Sequence, residues 1–375
     1  MNTYDTIVIG LGGMGSATVC ELARRGHRVL GLEQYAFDHT LGSSHGQSRI
    51  IRQAYFEHPD YVPLLQAAYE GWDALSAGSA TELFNRCGLL LAGPDTGEVI
   101  AGTREAASLH QLPLEELNYD TAQRRYPAFN FREGDTILNE AQGGYLRVEA
   151  CVAAHLAQAR HHGATLHEME PVSEWNRDGA GVRVTTDRAV YRAARLILCA
   201  GSWTGPLLAS LALPLEVRRV VTAWFPTENP AFTLEKGCPV FAFQTPDGFY
   251  YGFPELDTRG VKLACHAPGL PVADPATVDR HVTAVDVAPL QAFARQYLQG
   301  IASAPSDSTV CLYTMSPDGH FIIDRHPEQE QVTFAAGFSG HGFKFCPAIG
   351  QILADLSITG KSELPRDFLG LKRFQ

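Results

Sequence analysis

Thr6-Ile7-Val8-Ile9-Gly10-Leu11-Gly12-Gly13-Met14-Gly15 is the most telling stretch of this chain. A short apolar run feeds directly into a glycine-rich turn, and a helical pattern follows. Gly10 permits a sharp exit from a strand. Gly12 removes the side chain that would hold a pyrophosphate off the backbone, and Gly15 lets the next helix pack closely on the sheet. Unpaired N–H groups and the positive dipole end at the start of that helix attract an anion without any basic side chain. A second apolar run, His27-Arg28-Val29-Leu30-Gly31-Leu32, delivers Glu33, where a carboxylate can accept hydrogen bonds from an adenosine ribose. Strand, glycine turn, helix, strand and acid in this order predict a dinucleotide site. A ligand-free turn would account for the glycines but would leave an acid at the end of a buried strand without purpose.

The 375 residues exceed one ordinary domain and suffice for two with substantial cores. Thirty Lys and Arg against 41 Asp and Glu leave a formal net charge of −11, which excludes a broad cationic footprint for nucleic acid or an anionic membrane. A local cationic pocket remains compatible with it. No apolar run approaches the ~18 residues of a membrane span, and no basic, apolar leader precedes the first strand, so a cytoplasmic protein is expected. The 8 cysteines contain no CxxC pair and sit mostly in apolar segments, as free buried thiols do. No Cys or His cluster has zinc-ligand spacing, and no metal is expected.

Along the chain, apolar spacing predicts helices over Tyr61–Leu75 and Val152–Ala159. Strands are predicted at Ala164–His167, Val182–Thr185 and Arg195–Ala200, the last closing on Gly201. From about Val217 to Val310 the texture becomes aromatic and β-rich, notably Pro239–Pro254 and Val261–Ala267, and predicts an antiparallel sheet. Strands at Phe321–Asp324 and Val332–Ala336 and a helix after Gly350 complete the pattern. A nucleotide domain assembled from 1–85, 148–216 and 311–375 is expected, with 86–147 and 217–310 forming the substrate domain.

Three clusters carry candidate chemistry. Gly42-Ser43-Ser44-His45-Gly46-Gln47-Ser48-Arg49-Ile50-Ile51-Arg52 joins small residues to a histidine and two arginines. Arg49 and Arg52, three apart, would point the same way on a helical turn, toward a carboxylate or an aromatic system; a solvated pair is the plainer alternative. Phe338-Ser339-Gly340-His341-Gly342-Phe343-Lys344-Phe345 wedges a lysine between phenylalanines, as a functional cation or as an amphipathic side chain reaching out of a core. In Lys262-Leu263-Ala264-Cys265-His266, strand alternation places Lys262, Ala264 and His266 on one face. Cys311, on its own surroundings, reads as a buried thiol.

Taken with Tyr250-Tyr251-Gly252-Phe253-Pro254, Cys311-Leu312-Tyr313-Thr314, Pro317-Asp318 and His320-Phe321-Ile322-Ile323-Asp324, these segments resemble the monomeric sarcosine oxidase family, which includes the N-methyltryptophan oxidases. The resemblance runs nearly end to end, in the same order and with similar spacing. It implies an α/β fold, with an FAD-binding Rossmann-like domain of the glutathione-reductase type and an inserted antiparallel β-sheet substrate domain. It also implies FAD rather than NAD, attached covalently through its 8α-methyl group to Cys311. Gly10, Gly12, Gly15, Glu33, Ser43, Ser44, Arg49, Gly340, Gly342 and Lys344 are the other expected cofactor contacts. Arg52 and Lys344 resemble the pair that binds the substrate carboxylate, and His266 and Tyr251 resemble residues lining the amine pocket. Lys262 matches the lysine that activates oxygen, while Arg49 and His45 match residues near the flavin face. The implied reaction is oxidation of an N-methyl amino acid, sarcosine first, by O2. N-methyltryptophan, a cyclic amino acid such as pipecolate, and a dehydrogenase passing electrons to another acceptor are the alternatives. A monomer without nucleic acid or membrane partners is expected.

The sequence departs from the family pattern at Ser44, Gln47, Ser48 and Gly319, none of which removes a named catalytic group. Ala242 is more consequential. A larger side chain usually stands there beside the substrate pocket, so the alanine would admit more than a methylglycine.

Overall fold

β1 (Thr3–Ile9) is buried from Thr6 onward, as a strand covered on both faces must be. It pairs in parallel with β2 (Val29–Leu32) on one side and with the Val190–Leu198 strand on the other. Val8 and Ile197 face α1 (Gly13–Arg24) and the Cys346–Thr359 helix, whereas Ile7, Ile9, Leu196 and Leu198 join an opposite core with Val182, Val184 and Leu208. This two-sided burial explains why the strands read as continuous apolar runs rather than alternations. The protein is described by a computed structural model over residues 3–267 and 269–374.

The first sheet has eight strands. Its order is Val172–Asp178, Gly181–Thr186, Val190–Leu198, β1, β2 and Thr165–His167. The Gln329–Ala336 strand runs parallel to the end of Val190–Leu198 and antiparallel to Ile322–His326. Gly10–Gly13 therefore sits at the carboxyl edge of the central parallel strands, where open α/β sheets bind their ligands. At Gly10 the backbone is left-handed (φ 86°) and a β-carbon would collide with the Cys199 carbonyl; at Gly15 one would collide with the Gly10 carbonyl. These two positions thus need glycine for close approach of strand, turn and helix, apart from any ligand.

The second sheet has nine strands and includes Glu216–Phe225, Val240–Thr245, Gly248–Glu255, Val261–Cys265, Leu89–Pro94 and Asp135–Glu140. Phe129, Phe225, Phe241, Phe243 and Phe293 fill the core on one side of it. Its strands pair antiparallel as expected, with one exception to correct: Val240–Thr245 runs parallel to Leu89–Pro94. A parallel pair needs a long crossover, and the chain between these strands, which builds part of the first sheet, supplies it. Asp307–Met315 pairs with Glu216–Phe225, so the expected boundary at residue 311 falls within a strand of this sheet.

Two local expectations also change. Arg49 lies in β3 (Ser48–Ile51), paired with Gly144–Arg147, and not on a helical turn. Arg52 follows the end of that strand, and both side chains still reach the wall of one cavity. The last helix begins at Cys346 rather than after Gly350, with Pro347 in its first turn, where its missing N–H costs nothing. Gly350 is internal because a β-carbon there would meet the backbone of Ala17 in α1 at 2.9 Å. Among the described residues, no helix is long and apolar enough to cross a membrane.

Candidate active site

Two neighbouring cavities share Arg49, Gly340 and Phe343 in their walls. The larger encloses about 1740 Å³ of space opening to solvent, and its walls include Gly10, Gly12, Glu33, Ser43, Ser44, Cys311, Gly340 and Gly342. Gly15 lies outside this lining, consistent with its packing role, and Lys344 lines the second cavity instead. Glu33 is buried and accepts from the Leu11 N–H at 2.8 Å and the Tyr35 N–H at 3.2 Å. One acid thus ties the glycine turn to the end of β2 as well as facing the cavity. Ser44 Oγ accepts the Gly13 N–H at 2.9 Å, and Ser43 Oγ donates to the Leu312 carbonyl at 2.6 Å. These bonds fasten the 42–46 segment across the mouth of α1 and onto the strand that carries Cys311.

Arg49 is the link between the cavities. Its guanidinium donates to the Ser48 and Ser43 carbonyls at 2.8 and 2.9 Å and reaches Cys311 Sγ at 3.4 Å. The Cys311 sulfur thus sits between the Arg49 guanidinium and the wall of the larger cavity.

The smaller cavity is lined by Ile50, Arg52, Glu57, Leu89, Leu91, Ala242, Phe249, Tyr251, His266 and Lys344, among others. Arg52 and Lys344 are only 6% and 7% exposed, so two cations sit where isolated charge is expensive. Arg52 has a partner that the sequence reading did not anticipate: its Nη2 donates to both oxygens of Glu57 at 2.7 and 2.8 Å. Burial pushes the Glu57 carboxyl up, but Arg52, with His341 and Lys344, holds it at about 2. The guanidinium also lies over Tyr55 and Phe56, 4.1 and 4.5 Å from their ring centres. Glu140, pushed by burial to about 7, accepts the Gln53 and Ala54 N–H groups at 2.6 and 3.2 Å and so anchors the turn after Arg52. The signal for Glu57 was an acid beside aromatic residues, five positions beyond a candidate cation, but its meaning depends on the fold around it.

Lys344 Nζ donates to Tyr55 Oη at 3.3 Å and to the His341 carbonyl at 2.7 Å. Burial, joined by Arg52, pushes it down to about 7. On the opposite wall, Tyr251 Oη lies 3.5 Å from Tyr313 Oη, and the His266 ring is tilted against Tyr313 at 5.6 Å. Ala242 pairs with Tyr251 and Leu91 across adjacent strands, and its small side chain leaves the wall between them low.

Lys262 and His45 lie behind these walls. Lys262 is 1% exposed and donates to the Gly46 carbonyl, to the Ser48 carbonyl at 3.0 Å and to Ser48 Oγ at 3.4 Å. Burial and Arg49 push it well below the ordinary lysine range. Three acceptors nonetheless match the three N–H bonds of an ammonium, whereas a neutral amine has only two. Its carbonyl partners are presented by a turn with Gly46 and Gln47 both left-handed (φ 86° and 76°). Glu149 Oε1 accepts both of their N–H groups, at 2.7 and 3.0 Å. The Gln47 side chain, accepting from Trp224 Nε1 and donating to Asp257, locks the turn. His45 is pushed down to about 4 by burial and Arg49, and its Nε2 has no partner among the described residues.

The arrangement offers a glycine-walled trough for a dinucleotide, a thiol beside it, and an adjoining small pocket with a cationic floor. Comparison with known proteins agrees with a flavin dinucleotide as the cofactor. The family model described as FAD dependent oxidoreductase, DAO, matches residues 5–356. A Streptomyces avermitilis protein named monomeric sarcosine oxidase is 41% identical over 371 residues, 97% of this chain and 96% of its own. A Yersinia pestis protein named N-methyl-L-tryptophan oxidase is 34% identical over 376 residues, 99% of this chain and all of its own. Among solved structures, the open form of NikD, described as an unusual amino acid oxidase essential for nikkomycin biosynthesis, superposes with a TM-score of 0.85 at 27% identity. The match covers 99% of this chain and 98% of that one. An L-proline dehydrogenase from P. horikoshii shares the fold, with a TM-score of 0.84 at 22% identity over all of this chain and 98% of its own.

Proposed function

The chain belongs to the DAO family of FAD-dependent oxidoreductases, and from that premise we propose that it oxidises an N-methyl amino acid, sarcosine first: sarcosine, O2 and water give glycine, formaldehyde and hydrogen peroxide. The observation that carries this reading is the pair of buried cations, Arg52 and Lys344, in a small pocket that adjoins the dinucleotide trough. A carboxylate held there is fixed in orientation, and orientation supplies much of the advantage in a reaction between two bound partners.

The trough fits FAD: glycines line it, a helix N-terminus opens into it, and Glu33 and Cys311 stand in its walls. FAD, when bound, supplies the two-electron acceptor and delivers the electrons to O2. The protein does the rest. Arg52 and Lys344 take the carboxylate, while Tyr251 and His266 border the amine. Burial keeps His266 below its ordinary value, so it meets the amine as a neutral ring. Lys262 provides positive charge where O2 gains electrons. Cys311 carries the cofactor covalently through its sulfur. A monomer acting in the cytoplasm completes the reading; the near full-length match to a relative named monomeric supports the first of these.

An anaerobic absorbance titration of the purified yellow protein with sarcosine, N-methyltryptophan and pipecolate, followed by air and a peroxide assay, tests function and substrate together. Sarcosine is expected to bleach the flavin, with peroxide formed when air is admitted. Preferential bleaching by one of the larger amines would transfer the substrate to the class that Ala242 admits. A spectrum untouched by all three would remove the amine-oxidase reading. For the cofactor bond, acid precipitation of Cys311→Ala is expected to release all flavin into the supernatant, while the parent protein gives a yellow pellet. A yellow pellet from the variant would place the attachment elsewhere.

The pocket also predicts a pH dependence. Lys344 is charged below its depressed value of about 7 and loses that charge above it. The other titratable groups facing it keep their charge state between pH 7 and 9. Arg49 and Arg52 are raised, Glu57 and His341 are held at about 2 and 3, His266 is lowered, and Tyr55 and Cys346 are raised well above their ordinary values. The dissociation constant of acetate, read from the flavin spectrum, is therefore expected to rise by up to about tenfold per pH unit above 7, the limit for one linked proton. A flat profile would mean that Lys344 stays charged or does not meet the carboxylate.

A further inference from the structure

We infer that Tyr55 and His341 are positioning residues that aim the Lys344 ammonium into the substrate pocket through a chain of hydrogen bonds with only one direction open to it. The inference rests on the reading that Lys344 takes the substrate carboxylate.

The direction follows from donor and acceptor chemistry. His341 Nε2 lies 3.0 Å from the Gly319 carbonyl, which can only accept, so Nε2 carries the proton. In a neutral imidazole Nδ1 is then the acceptor. Burial holds His341 in that neutral form, pushed down to about 3. Tyr55 Oη lies 2.6 Å from Nδ1 and 3.5 Å from the His341 carbonyl, and the much shorter contact, to an unprotonated nitrogen, takes its hydrogen. Its oxygen lone pairs are thereby turned toward Lys344 Nζ at 3.3 Å. His341 acts a second time through its backbone carbonyl, which takes another Lys344 N–H at 2.7 Å. Two of the three ammonium hydrogens are therefore fixed, and the third is left for a ligand in the cavity that Lys344 lines.

The Tyr55 ring makes the chain separable from packing. It is fully buried, lies under Arg52 at 4.1 Å and Lys344 at 5.1 Å, and packs edge-on against Phe345. Removing only its hydroxyl keeps all three ring contacts. What is lost is the step between the imidazole and the ammonium.

The test is steady-state kinetics of the flavin-loaded enzyme with sarcosine, comparing Tyr55→Phe, His341→Phe, Lys344→Met and the double variants. Tyr55→Phe is expected to raise KM about tenfold, the scale of one hydrogen bond to a charged group, with kcat within about twofold of the parent. His341→Phe should do the same, and Tyr55→Phe/His341→Phe should be no worse than the more damaging single change, because both break one chain. Adding Tyr55→Phe to Lys344→Met should change nothing further. An unchanged KM in Tyr55→Phe, alongside a raised KM in Lys344→Met, would overturn the relay while leaving the carboxylate anchor intact. Multiplicative effects of Tyr55→Phe and His341→Phe would also overturn it. An unchanged KM in Lys344→Met would instead remove the anchor reading on which the relay stands. Should His341→Phe fail to fold, Tyr55→Phe with and without Lys344→Met decides the matter alone.

Discussion

Replacing Lys262 by methionine is expected to slow the return of flavin absorbance on mixing with O2 by about 10²–10³-fold, the scale seen when one preorganised charge-stabilising donor is removed. Anaerobic bleaching by sarcosine should stay within a few-fold of the parent. The argument begins with position. Lys262 is buried beneath the Gly46–Ser48 turn, 4.8 Å from the Phe253 ring centre and 5.5 Å from that of Trp224. Methionine keeps the bulk of the side chain against those rings and removes the charge, its attraction to the ring faces and the donors. A charge in so dry a setting acts on neighbouring charge far more strongly than one in water, and O2 acquires negative charge as it is reduced. The two carbonyls left without their donor add about 1–3 kcal/mol of destabilisation each, so melting temperature is checked beside the kinetics. Because burial and Arg49 hold Lys262 well below its ordinary value, its charge is present at low pH and lost as pH rises. The O2 rate of the parent should therefore fall with increasing pH, and that of the methionine variant should not. Stopped-flow traces in which both variants react with O2 at the same rate would refute this role for the lysine.

The parts of this design that could be read from sequence are those in which a few consecutive residues set the structure. Gly10, Gly12 and Gly15 between two apolar strands, with Glu33 ending the second, specify a turn whose geometry depends on little else. The Tyr61–Ala77 and Val148–His161 helices declared themselves through spacing, although both run longer than expected. Features set by distant partners were not legible. Arg49 lies on extended chain because β3 pairs with Gly144–Arg147, a contact that no local pattern announces. Gly350 looked like a helix boundary and is instead the point where two helices touch. Glu57 and Glu140 escaped notice because a buried acid is recognisable only once its cation or its N–H partners are in place. Lys262 pointed to chemistry through family resemblance, yet only the fold reveals that its ammonium is held by the same turn that carries His45 and Arg49.

Lys344→Met is expected to raise KM for sarcosine by about 10²-fold or more, and Lys344, not Arg52, should be the more sensitive of the two cations. Truncating one member of a buried charge pair costs about 2–5 kcal/mol, which is from ~30-fold to several thousand-fold in affinity. The difference between the cations comes from what each already holds. Arg52 gives Nη2 to both Glu57 oxygens and Nη1 to the Ala54 carbonyl, so its charge is matched before any ligand arrives. Among the described residues, Lys344 has two neutral oxygen partners and no carboxylate bonded to it. A substrate carboxylate therefore gains most from Lys344, and its negative charge offsets the cost of burial that depresses the lysine. Substituting Arg52 instead would leave Glu57 buried without its cation, so a loss of activity there would mix binding with stability, whereas methionine at 344 leaves the Arg52–Glu57 pair and the Tyr55–His341 bond in place. Steady-state KM with acetate inhibition measured in parallel separates the possibilities. If both rise together, the lysine reads the carboxylate. If KM for sarcosine rises while acetate inhibits as before, the lysine acts on the amine end, and the orientation of the substrate in the pocket must be reversed.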